Sequence, residues 1–431
     1  MTQADPTTDR LLVGNCLDTL KTLSDASIDS IVTDPPYELG FMGKAWDASG
    51  IAYQVDLWRE CLRVLKPGGH LLAFGGTRTY HRMAVAIEDA GFEIRDSIHW
   101  TYGSGFPKSM NVSIAIDKAA GKMKHRGKRM SNVGQKNRGE DIPNAVSMPA
   151  HKPITKAAKQ WNGWGTALKP SHEPIVVARK PLDGTVAKNV QQYGTGAINI
   201  DATRVAGVLE GDPNRFSKTD GGSFNAFSQE PPVVRSEGRF PANTLLTHNH
   251  DCQQTGTTEE TVVTTNGKGF AGSFEGGTND NGGAAQTFSS PIWSCTPNCP
   301  VALLDQQGDG SSRFFHNSQW TQDDQLTPFL YTAKPGKKER NAGLDDSNTH
   351  PTVKPVQLIR YLIKMVTPPK GTVLDPFLGS GTTAVAAILE GVEWKGCELT
   401  EDYIPIIKGR TAWATKEAKK QTKKPKQETL L

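Results

Sequence analysis

The stretch GTVLDPFLGSGTTAVAAILEGVEWKGCEL, residues 371–399, decides the fold class. It reads in turn as a short aliphatic strand, a glycine-containing loop, a helix that ends at Gly391, and a second strand. A strand, a helix and a strand in succession predict two parallel strands of an α/β sheet. Loops that follow such strands deliver residues to the ligand crevice of the sheet. The loop that starts at Asp375 is therefore a candidate binding loop.

The same pattern occurs near the start of the chain. Its elements, in order, are a strand at 27–34, a helix at 55–66, a Pro-Gly-Gly turn at 67–69, a strand at 70–76, a helix at 80–91 and a strand at 92–100. An amphipathic helix is predicted at 356–366, just before the second α/β segment. Two α/β segments thus flank a long middle, and together they predict a doubly wound parallel sheet.

The predicted organisation has four parts. They are a first half of the α/β domain at 1–107, an insert at 108–345, a second half at 346–412 and a basic, disordered tail at 413–431. Within the insert, residues 253–290 hold eight glycines and few aliphatic residues, which predicts a loop or disordered segment.

Length and composition limit the class of protein. With 431 residues, 36% of them hydrophobic, the chain can form a sizeable core and more than one domain. No run of about 18 apolar residues occurs, and the opening MTQADPTTDRLLVG lacks the features of a secretory signal. The six cysteines are too few for a disulfide framework. We therefore expect a cytoplasmic protein without membrane partners.

The charge is unevenly distributed. The whole chain has a formal net charge of +4, but residues 108–188 hold 16 Lys or Arg against 5 Asp or Glu. This basic stretch also contains Trp161 and Trp164, a combination that suits a phosphate backbone and stacked bases. A solvated, lysine-rich loop is the alternative interpretation.

The tetrapeptide Asp34-Pro35-Pro36-Tyr37 stands at the end of the first predicted strand. Two prolines fix the backbone, so that the Asp carboxylate, the Pro35 carbonyl and the Tyr ring keep a fixed relation. Two acceptors that grip both hydrogens of a nucleobase amine would free its delocalised lone pair, while the ring stacks on the base. The motif therefore predicts a site that activates an amine, although a rigid turn without chemistry has the same sequence.

The second motif, DPFLGSGTT at 375–383, lacks the lysine with which a P-loop reaches nucleotide phosphates. Glu398 stands 23 residues beyond Asp375, at the end of the next strand, where an acid binds ribose hydroxyls in related α/β folds. The pattern favours an adenosine with a non-phosphate arm.

These motifs together resemble the DNA amino-methyltransferases that use S-adenosylmethionine. The order of DPPY, a long middle, HPTVKP at 350–355 and DPFLGSGTT is similar to the permuted arrangement called the beta class, in bacterial and phage members. The resemblance implies a Rossmann-like, circularly permuted methyltransferase sheet in which the insert recognises the target. It also implies a site-specific, adenine-specific DNA methyltransferase of a restriction-modification type, in the host cytoplasm if phage-encoded.

The resemblance also implies roles for individual residues. The acceptor residues that hold the target base would be Asp34, Pro35, Pro36 and Tyr37. The residues that border the methyl donor would be Asp375, Phe377, Gly379, Ser380, Gly381 and Thr382, with Glu398 on its ribose and Thr352 and Lys354 near its methionine end. Many relatives have Gly-Asp where this chain has Gly14-Asn15, so Asn15 would meet the donor's adenine amine without a charge.

The implied reaction is direct in-line attack of a flipped-out base amine on the donor methyl group. The chain has no Pro-Cys pair, which cytosine-carbon methyltransferases need for their nucleophile. Asp at the first position of the tetrapeptide favours adenine N6. The alternatives are cytosine N4, an RNA or protein-amide substrate, and a catalytically silent DNA-binding protein that retains the fold.

Two further sets of residues are predicted in the insert. Those expected to contact DNA are Lys124, Arg126, Lys128, Arg129, Lys136 and Arg138. Those that could hold a structural zinc ion are His250, Cys252, Cys295 and Cys299. Four reduced side chains without metal are the alternative for the second set.

Overall fold

The computed structural model describes most of the two α/β segments and parts of the middle. The described residues are 9–40, 45–102, 109–122, 152–203, 241–247, 253–263, 285–295, 299, 301–302, 306, 316–318, 335 and 337–423. They divide into two compact units, one formed by the chain on either side of 105–171 and the other by 105–171 itself.

The first unit is built on a sheet that has nine strands among the described residues, in the order β1-β11-β10-β2-β3-β5-β4-β6-β9. The strands are β1 (Leu11–Val13), β2 (Ile28–Thr33), β3 (Leu65–Phe74), β4 (Glu93–Thr101), β5 (His172–Arg179), β6 (Thr244–Thr247), β7 (Gln253–Val263), β8 (Ala285–Ser294), β9 (His316–Ser318), β10 (Thr372–Asp375) and β11 (Glu393–Glu398). Strands β7 and β8 form a separate antiparallel pair.

Ten α-helices are described. They are α1 (Cys16–Thr19), α2 (Val55–Val64), α3 (Tyr80–Asp89), α4 (Val112–Ala119), α5 (Lys156–Gln160), α6 (Val186–Tyr193), α7 (Lys337–Arg340), α8 (Val356–Val366), α9 (Thr382–Glu390) and α10 (Ile404–Lys423). No helix in the described part of the chain is long and apolar enough to cross a membrane.

The sheet buries both of its faces. Successive residues of β3 alternate between two clusters: Leu72 and Phe74 lie in one, and Leu71 and Ala73 lie in the other. The first cluster contains the apolar faces of α8 and α9, and the second contains those of α2 and α3. Helices therefore cover both faces, which confirms the doubly wound α/β fold.

The sheet is mixed, whereas the sequence predicts a parallel one. Strands β1, β11, β10, β2 and β3 run parallel to one another, but β5 runs antiparallel to both β3 and β4. Residues 175–178 are aliphatic and buried, as an internal strand requires, and nothing local in such a run indicates its direction.

The predicted turn at 67–69 is an irregularity inside β3. Ile28 pairs with Leu65 and Ser30 pairs with His70, so the extra residues between them are taken up without breaking the strand. Gly68 has a φ of +76°, and a Cβ at Gly69 would lie 3.0 Å from the Asp29 carbonyl oxygen. Both glycines therefore serve a bulge.

The predicted insert at 108–345 is divided in the structure. Only 105–171 forms a compact unit of its own, while β5, β6 and β9 belong to the main sheet. The predicted loop at 253–290 contains β7 and most of β8, because its Thr- and Val-containing ends suit an extended ladder.

The predicted disorder of the tail from 413 is wrong as far as Lys423. Helix α10 continues through this segment, and Ala414 is fully buried while Trp413 packs against the same core cluster. These two apolar residues anchor a helix that is otherwise rich in lysine. Residues 424–431 lie outside the described part of the chain.

Candidate active site

The predicted site residues meet at one edge of the sheet. Asn15, Glu398, Asp375 and Asp34 stand at or directly after the carboxyl ends of β1, β11, β10 and β2, and these four strands are adjacent and parallel. Strands of that kind end at the same edge. The fold therefore brings together residues from both ends of the chain.

The Asp34 carboxylate has two different oxygens. Its Oδ2 accepts a hydrogen bond from the Lys354 ammonium at 2.6 Å. Its Oδ1 is buried and has no hydrogen-bond partner among the described residues. Burial raises the pKa of Asp34, and the Lys354 ammonium and the nearby Tyr37 hydroxyl oppose this rise because they favour the ionised form. Oδ1 is thus an acceptor for which the described residues supply no well-formed hydrogen bond.

Tyr37 follows the two prolines and is fixed by a residue of β5. Its hydroxyl donates to Glu173 Oε2 at 2.7 Å, and the Tyr102 hydroxyl donates to Glu173 Oε1 at 3.3 Å. Burial, together with the negative charges of Asp34 and Glu173, raises the pKa of Tyr37 well above its ordinary value. The hydroxyl therefore stays protonated.

The Lys354 ammonium lies beside Asp34 and Tyr37, whereas the resemblance places this residue near the donor's methionine end. Its Nζ is 3.4 Å from Glu173 Oε2, in addition to its bond to Asp34, and lies 5.1 Å from the centre of the Tyr37 ring and 5.0 Å from that of Phe74. Burial acts to lower the pKa of Lys354, but the two carboxylates outweigh burial and the pKa is raised.

The Asp375 carboxylate links the two motifs. Thr33 Oγ1 and the Phe377 N–H donate to its Oδ1 at 2.6 and 3.0 Å, and Thr383 Oγ1 donates to its Oδ2 at 2.7 Å. Thr33 directly precedes Asp34, so this carboxylate ties the end of β2 to the start of the glycine loop. Burial raises the pKa of Asp375 to about 6, against the effect of its three donors.

Two positions in the loop that follows β10 need glycine because of their backbone conformation. Gly379 and Gly381 have φ values of +54° and +80°, and a Cβ at Gly379 would lie 2.9 Å from His350 Nε2. Glu398 holds the loop because its Oε2 accepts the Gly379 N–H at 2.7 Å and its Oε1 accepts the Thr400 N–H at 2.8 Å. Burial raises the pKa of Glu398, and these two N–H groups oppose the rise.

Arg410 of α10 holds the same loop from inside the protein. One guanidinium nitrogen donates to the Ser380 carbonyl at 2.7 Å, to Ser380 Oγ at 2.8 Å and to Thr382 Oγ1 at 3.1 Å. Burial lowers the pKa of Arg410 to about 10. The hydroxyls of Ser380 and Thr382 therefore serve the loop's own structure, and a lone arginine in a tail-like sequence gave no signal of this role.

Two other residues predicted to border the methyl donor are exposed. Asn15 is exposed, and its Oδ1 accepts the Leu17 N–H at 3.0 Å as the N-cap of α1. Thr352 is exposed, and its N–H donates to His350 Nδ1 at 3.3 Å. Burial lowers the pKa of His350 to about 4, so this ring, which packs on Tyr403, is neutral.

The predicted DNA-binding residues all fall within 123–151, outside the described residues. His250 and Cys252 of the predicted zinc set also lie outside, while Cys295 and Cys299 are described. Within the described ranges, no group of three or more His, Cys, Asp or Glu residues could hold a metal ion. The zinc site therefore has no support from the structure and stays a prediction.

Comparison with solved structures finds matches that cover most of the chain at low identity. One is the complex of M1.HpyAVI with SAM, at 14% identity, a TM-score of 0.37 and coverage of 93% of this chain and 98% of that one. Another is the PvuII DNA methyltransferase, described as cytosine-N4-specific, at 13% identity, a TM-score of 0.39 and coverage of 95% and 89%.

Curated relatives match shorter parts of the chain. The Type II methyltransferase M.HindIII of Haemophilus influenzae is 31% identical over 164 residues, which are 37% of this chain and 42% of that protein. M.HpaI of Haemophilus parainfluenzae is 32% identical over 130 residues, 29% of this chain and 41% of that protein. The chain thus spans less than half the length of these relatives. The N6_N4_Mtase family, described as DNA methylase, matches residues 28–409, and the chain therefore belongs to this family of DNA methylases.

Proposed function

We propose that this protein transfers a methyl group from S-adenosylmethionine to the exocyclic N6 amine of adenine in duplex DNA. The observation that carries the proposal is Asp34 Oδ1, a buried carboxylate oxygen without a donor among the described residues. An unpaired buried acceptor costs about 1–3 kcal/mol, so its presence at a strand end indicates a ligand that donates to it. A nucleobase amine is such a donor.

The acceptor residues would hold different parts of the base. Asp34 Oδ1 accepts one hydrogen of the amine, since Oδ2 is already bonded to Lys354. The Pro35 carbonyl is the second acceptor that the tetrapeptide predicts. Tyr37, whose hydroxyl is fixed by Glu173, presents its ring to the flat base, which adds about 1–3 kcal/mol of stacking. Together these contacts favour a pyramidal nitrogen with an available lone pair.

The donor residues fit an adenosine whose arm is not a phosphate. The loop at 379–381 allows close approach because glycines with positive φ leave no Cβ in the way, and it has no lysine for a phosphate. Glu398 stands at the end of the next strand with both oxygens oriented by backbone N–H groups. When bound there, S-adenosylmethionine would supply an electrophilic methyl group on its sulfonium.

DNA would be bound in part by the unit at 105–171. In its described residues 109–122 and 152–171 the one acidic residue is Asp117, which is buried and accepts the N–H groups of Ile154 and Thr155. The exposed lysines there are Lys118, Lys122, Lys152, Lys156, Lys159 and Lys169. Trp161 and Trp164 of the same unit are also exposed, and their rings meet edge to face at 5.0 Å. Lysines with aromatic rings suit phosphates and unstacked bases.

The target base distinguishes this proposal from its alternatives. The family covers both N6 and N4 amines, and the choice of adenine rests on Asp34 in the tetrapeptide. A silent DNA-binding protein would not need the Asp34 oxygen to stay open or the glycine loop to stay intact.

The test is to incubate the protein with methyl-labelled S-adenosylmethionine and an unmethylated plasmid, digest the DNA to nucleosides, and identify the labelled nucleoside by mass spectrometry. We expect N6-methyladenosine in its deoxy form. Label in N4-methylcytosine would replace adenine with cytosine as the target. DNA without label, although the donor binds, would refute the proposed activity.

A further inference from the structure

Glu173 is a buried carboxylate that the sequence does not identify as part of the site. It is the second residue of β5, and because β5 is antiparallel to β3 its first residues lie at the edge where the parallel strands end. Phe74, the last residue of β3, pairs with Ile175, two residues beyond Glu173. The reversed strand thus delivers Glu173 to the acceptor half of the site.

Each oxygen of Glu173 contacts a group at the acceptor centre. Its Oε2 accepts the Tyr37 hydroxyl at 2.7 Å and lies 3.4 Å from Lys354 Nζ. Its Oε1 accepts the Tyr102 hydroxyl at 3.3 Å. The side chain of Glu173 is only 12% exposed and that of Lys354 only 10%, so solvent screens these contacts weakly.

The Lys354 ammonium is shared between two carboxylates. Asp34 Oδ2 lies 2.6 Å from its Nζ and Glu173 Oε2 lies 3.4 Å from it. This arrangement fixes which oxygen of Asp34 is occupied, and so leaves Oδ1 open. Without Glu173, the ammonium would have one carboxylate partner and the Tyr37 ring would lose its anchor.

We propose that Glu173 is a positioning residue for methyl transfer: through Lys354 it sets which Asp34 oxygen faces the target amine, and through the Tyr37 hydroxyl it sets the ring on which the base stacks. This inference rests on the proposed function, since it assigns a role within the same acceptor site. Glu173 acts through these two residues and does not itself need to touch the base.

The effect of Glu173 on the pKa of Asp34 distinguishes a positioning role from a merely structural one. The charged groups around Asp34 are Lys354, Glu173 and Asp375, with the Tyr37 hydroxyl beside them. Glu173 raises the pKa of Asp34, and Lys354 lowers it. Asp34 must be ionised to accept the amine hydrogen, so removing Glu173 should extend activity to lower pH, and removing the Lys354 charge should restrict activity to higher pH.

The experiment measures single-turnover methyl transfer to plasmid DNA across a pH series, together with the affinity for S-adenosylmethionine by calorimetry. The variants are Glu173→Gln, Lys354→Met and, as a matched control, Glu93→Gln. Glu93 of β4 also pairs with a cation of β5, since Arg179 donates to its Oε2 at 2.6 Å, but the pair involves the opposite end of β5 from Glu173. Circular dichroism confirms that each variant is folded.

We expect Glu173→Gln to lower the plateau rate on the order of 10- to 100-fold with donor affinity nearly unchanged, because the base is misplaced. The fall in the rate of methyl transfer on the acid side of the pH profile should move to lower pH in Glu173→Gln and to higher pH in Lys354→Met, each on the order of one pH unit. Glu93→Gln should match the wild type.

A double variant tests the route through the ring. In a Tyr37→Phe background, Glu173→Gln should reduce the rate of methyl transfer by a smaller factor than it does in the wild type. The reason is that Tyr37→Phe has already removed the contact between Glu173 and the Tyr37 hydroxyl. Wild-type rate and pH profile in a folded Glu173→Gln protein would overturn the inference while the proposed function stands. An inactive wild type that binds the donor would instead overturn the proposed function and, with it, this inference.

Discussion

Asp375 is a buried carboxylate that accepts three hydrogen bonds. Two threonine hydroxyls and one backbone N–H donate to it, and yet burial raises its pKa to about 6. The ionised carboxylate accepts all three bonds, whereas the protonated form has fewer acceptor sites and one O–H donor. Protonation near pH 6 therefore reverses or breaks at least one of these bonds, so the geometry of the loop that starts at Asp375 depends on pH close to neutrality.

We therefore predict that affinity for S-adenosylmethionine falls between pH 7 and pH 5. Titration calorimetry across this range measures the change, and Asp375→Asn, which keeps the shape but cannot ionise, should bind more weakly with a flatter dependence. Unfolding does not explain such a loss through this group, because its pKa is raised above the ordinary value of 3.8 and protonation then stabilises the folded chain. An unchanged pH dependence in Asp375→Asn would assign the titration to another group.

Some residues of the site could be predicted and others could not. Asp34, Asp375 and Glu398 follow strand-like runs, so the sequence alone places them at the ligand edge of a sheet. Glu173 and Arg410 reach the site only through tertiary structure, from an antiparallel strand and from the last helix. No local pattern shows either of these contacts, because a buried carboxylate or guanidinium has no periodicity of its own.

At the scale of elements, the loop between β10 and α9 depends on backbone conformation. Gly379 has a positive φ and faces His350, whereas Gly391 at the end of α9 has a φ of +69° and open space around it. Alanine at either position adds about 1–2 kcal/mol of backbone strain. Only at Gly379 does the new Cβ also meet a neighbouring side chain, at 2.9 Å.

The matched pair Gly379→Ala and Gly391→Ala therefore separates stability from function. Gly391→Ala should lower the free energy of unfolding by about 1–2 kcal/mol in urea titrations, and Gly379→Ala should lower it by at least as much because its Cβ also meets His350. Gly379→Ala should also weaken donor binding by roughly tenfold or more, because the N–H that bonds Glu398 moves with the loop. Equal donor affinity in the two variants would show that the loop does not border the donor.

Elements with strong periodicity were predictable, and irregular ones were not. The helices predicted at 356–366 and within 382–390 are confirmed, because their apolar residues recur at helical spacing. The bulge in β3 is predicted as a turn, because glycine occurs in both turns and bulges. Helix α10 has only a few apolar anchors among its lysines, so its sequence looks like that of a tail.

At the scale of the whole molecule, positive charge is concentrated in and around the unit at 105–171. The run at 121–130 lies mostly outside the described residues, and its role in DNA binding is a prediction from the sequence. Neutralising Arg126, Lys128 and Arg129 together should weaken DNA binding and reduce the slope of log affinity against log salt by up to about 3. Affinity for S-adenosylmethionine should not change.

The control removes the same number of charges from the other unit. Lys21, Arg59 and Lys188 are exposed and already pair with nearby carboxylates. Their neutralisation should leave the salt slope nearly unchanged in fluorescence anisotropy titrations with a DNA duplex. Equal effects of the two triple variants would mean that general charge, and not this basic run, binds DNA.

The central claim is that two distant segments of the chain form one site, with the acceptor at the end of β2 and the donor loop at the end of β10. The most direct measurement compares donor affinity and methyl transfer in the Asp34→Asn and Asp34→Ala variants. We predict that both variants bind S-adenosylmethionine about as well as the wild type does. Their rate of methyl transfer to DNA should be reduced by roughly 100-fold or more. Near wild-type transfer by folded Asp34→Ala, with the same product base, would contradict the account.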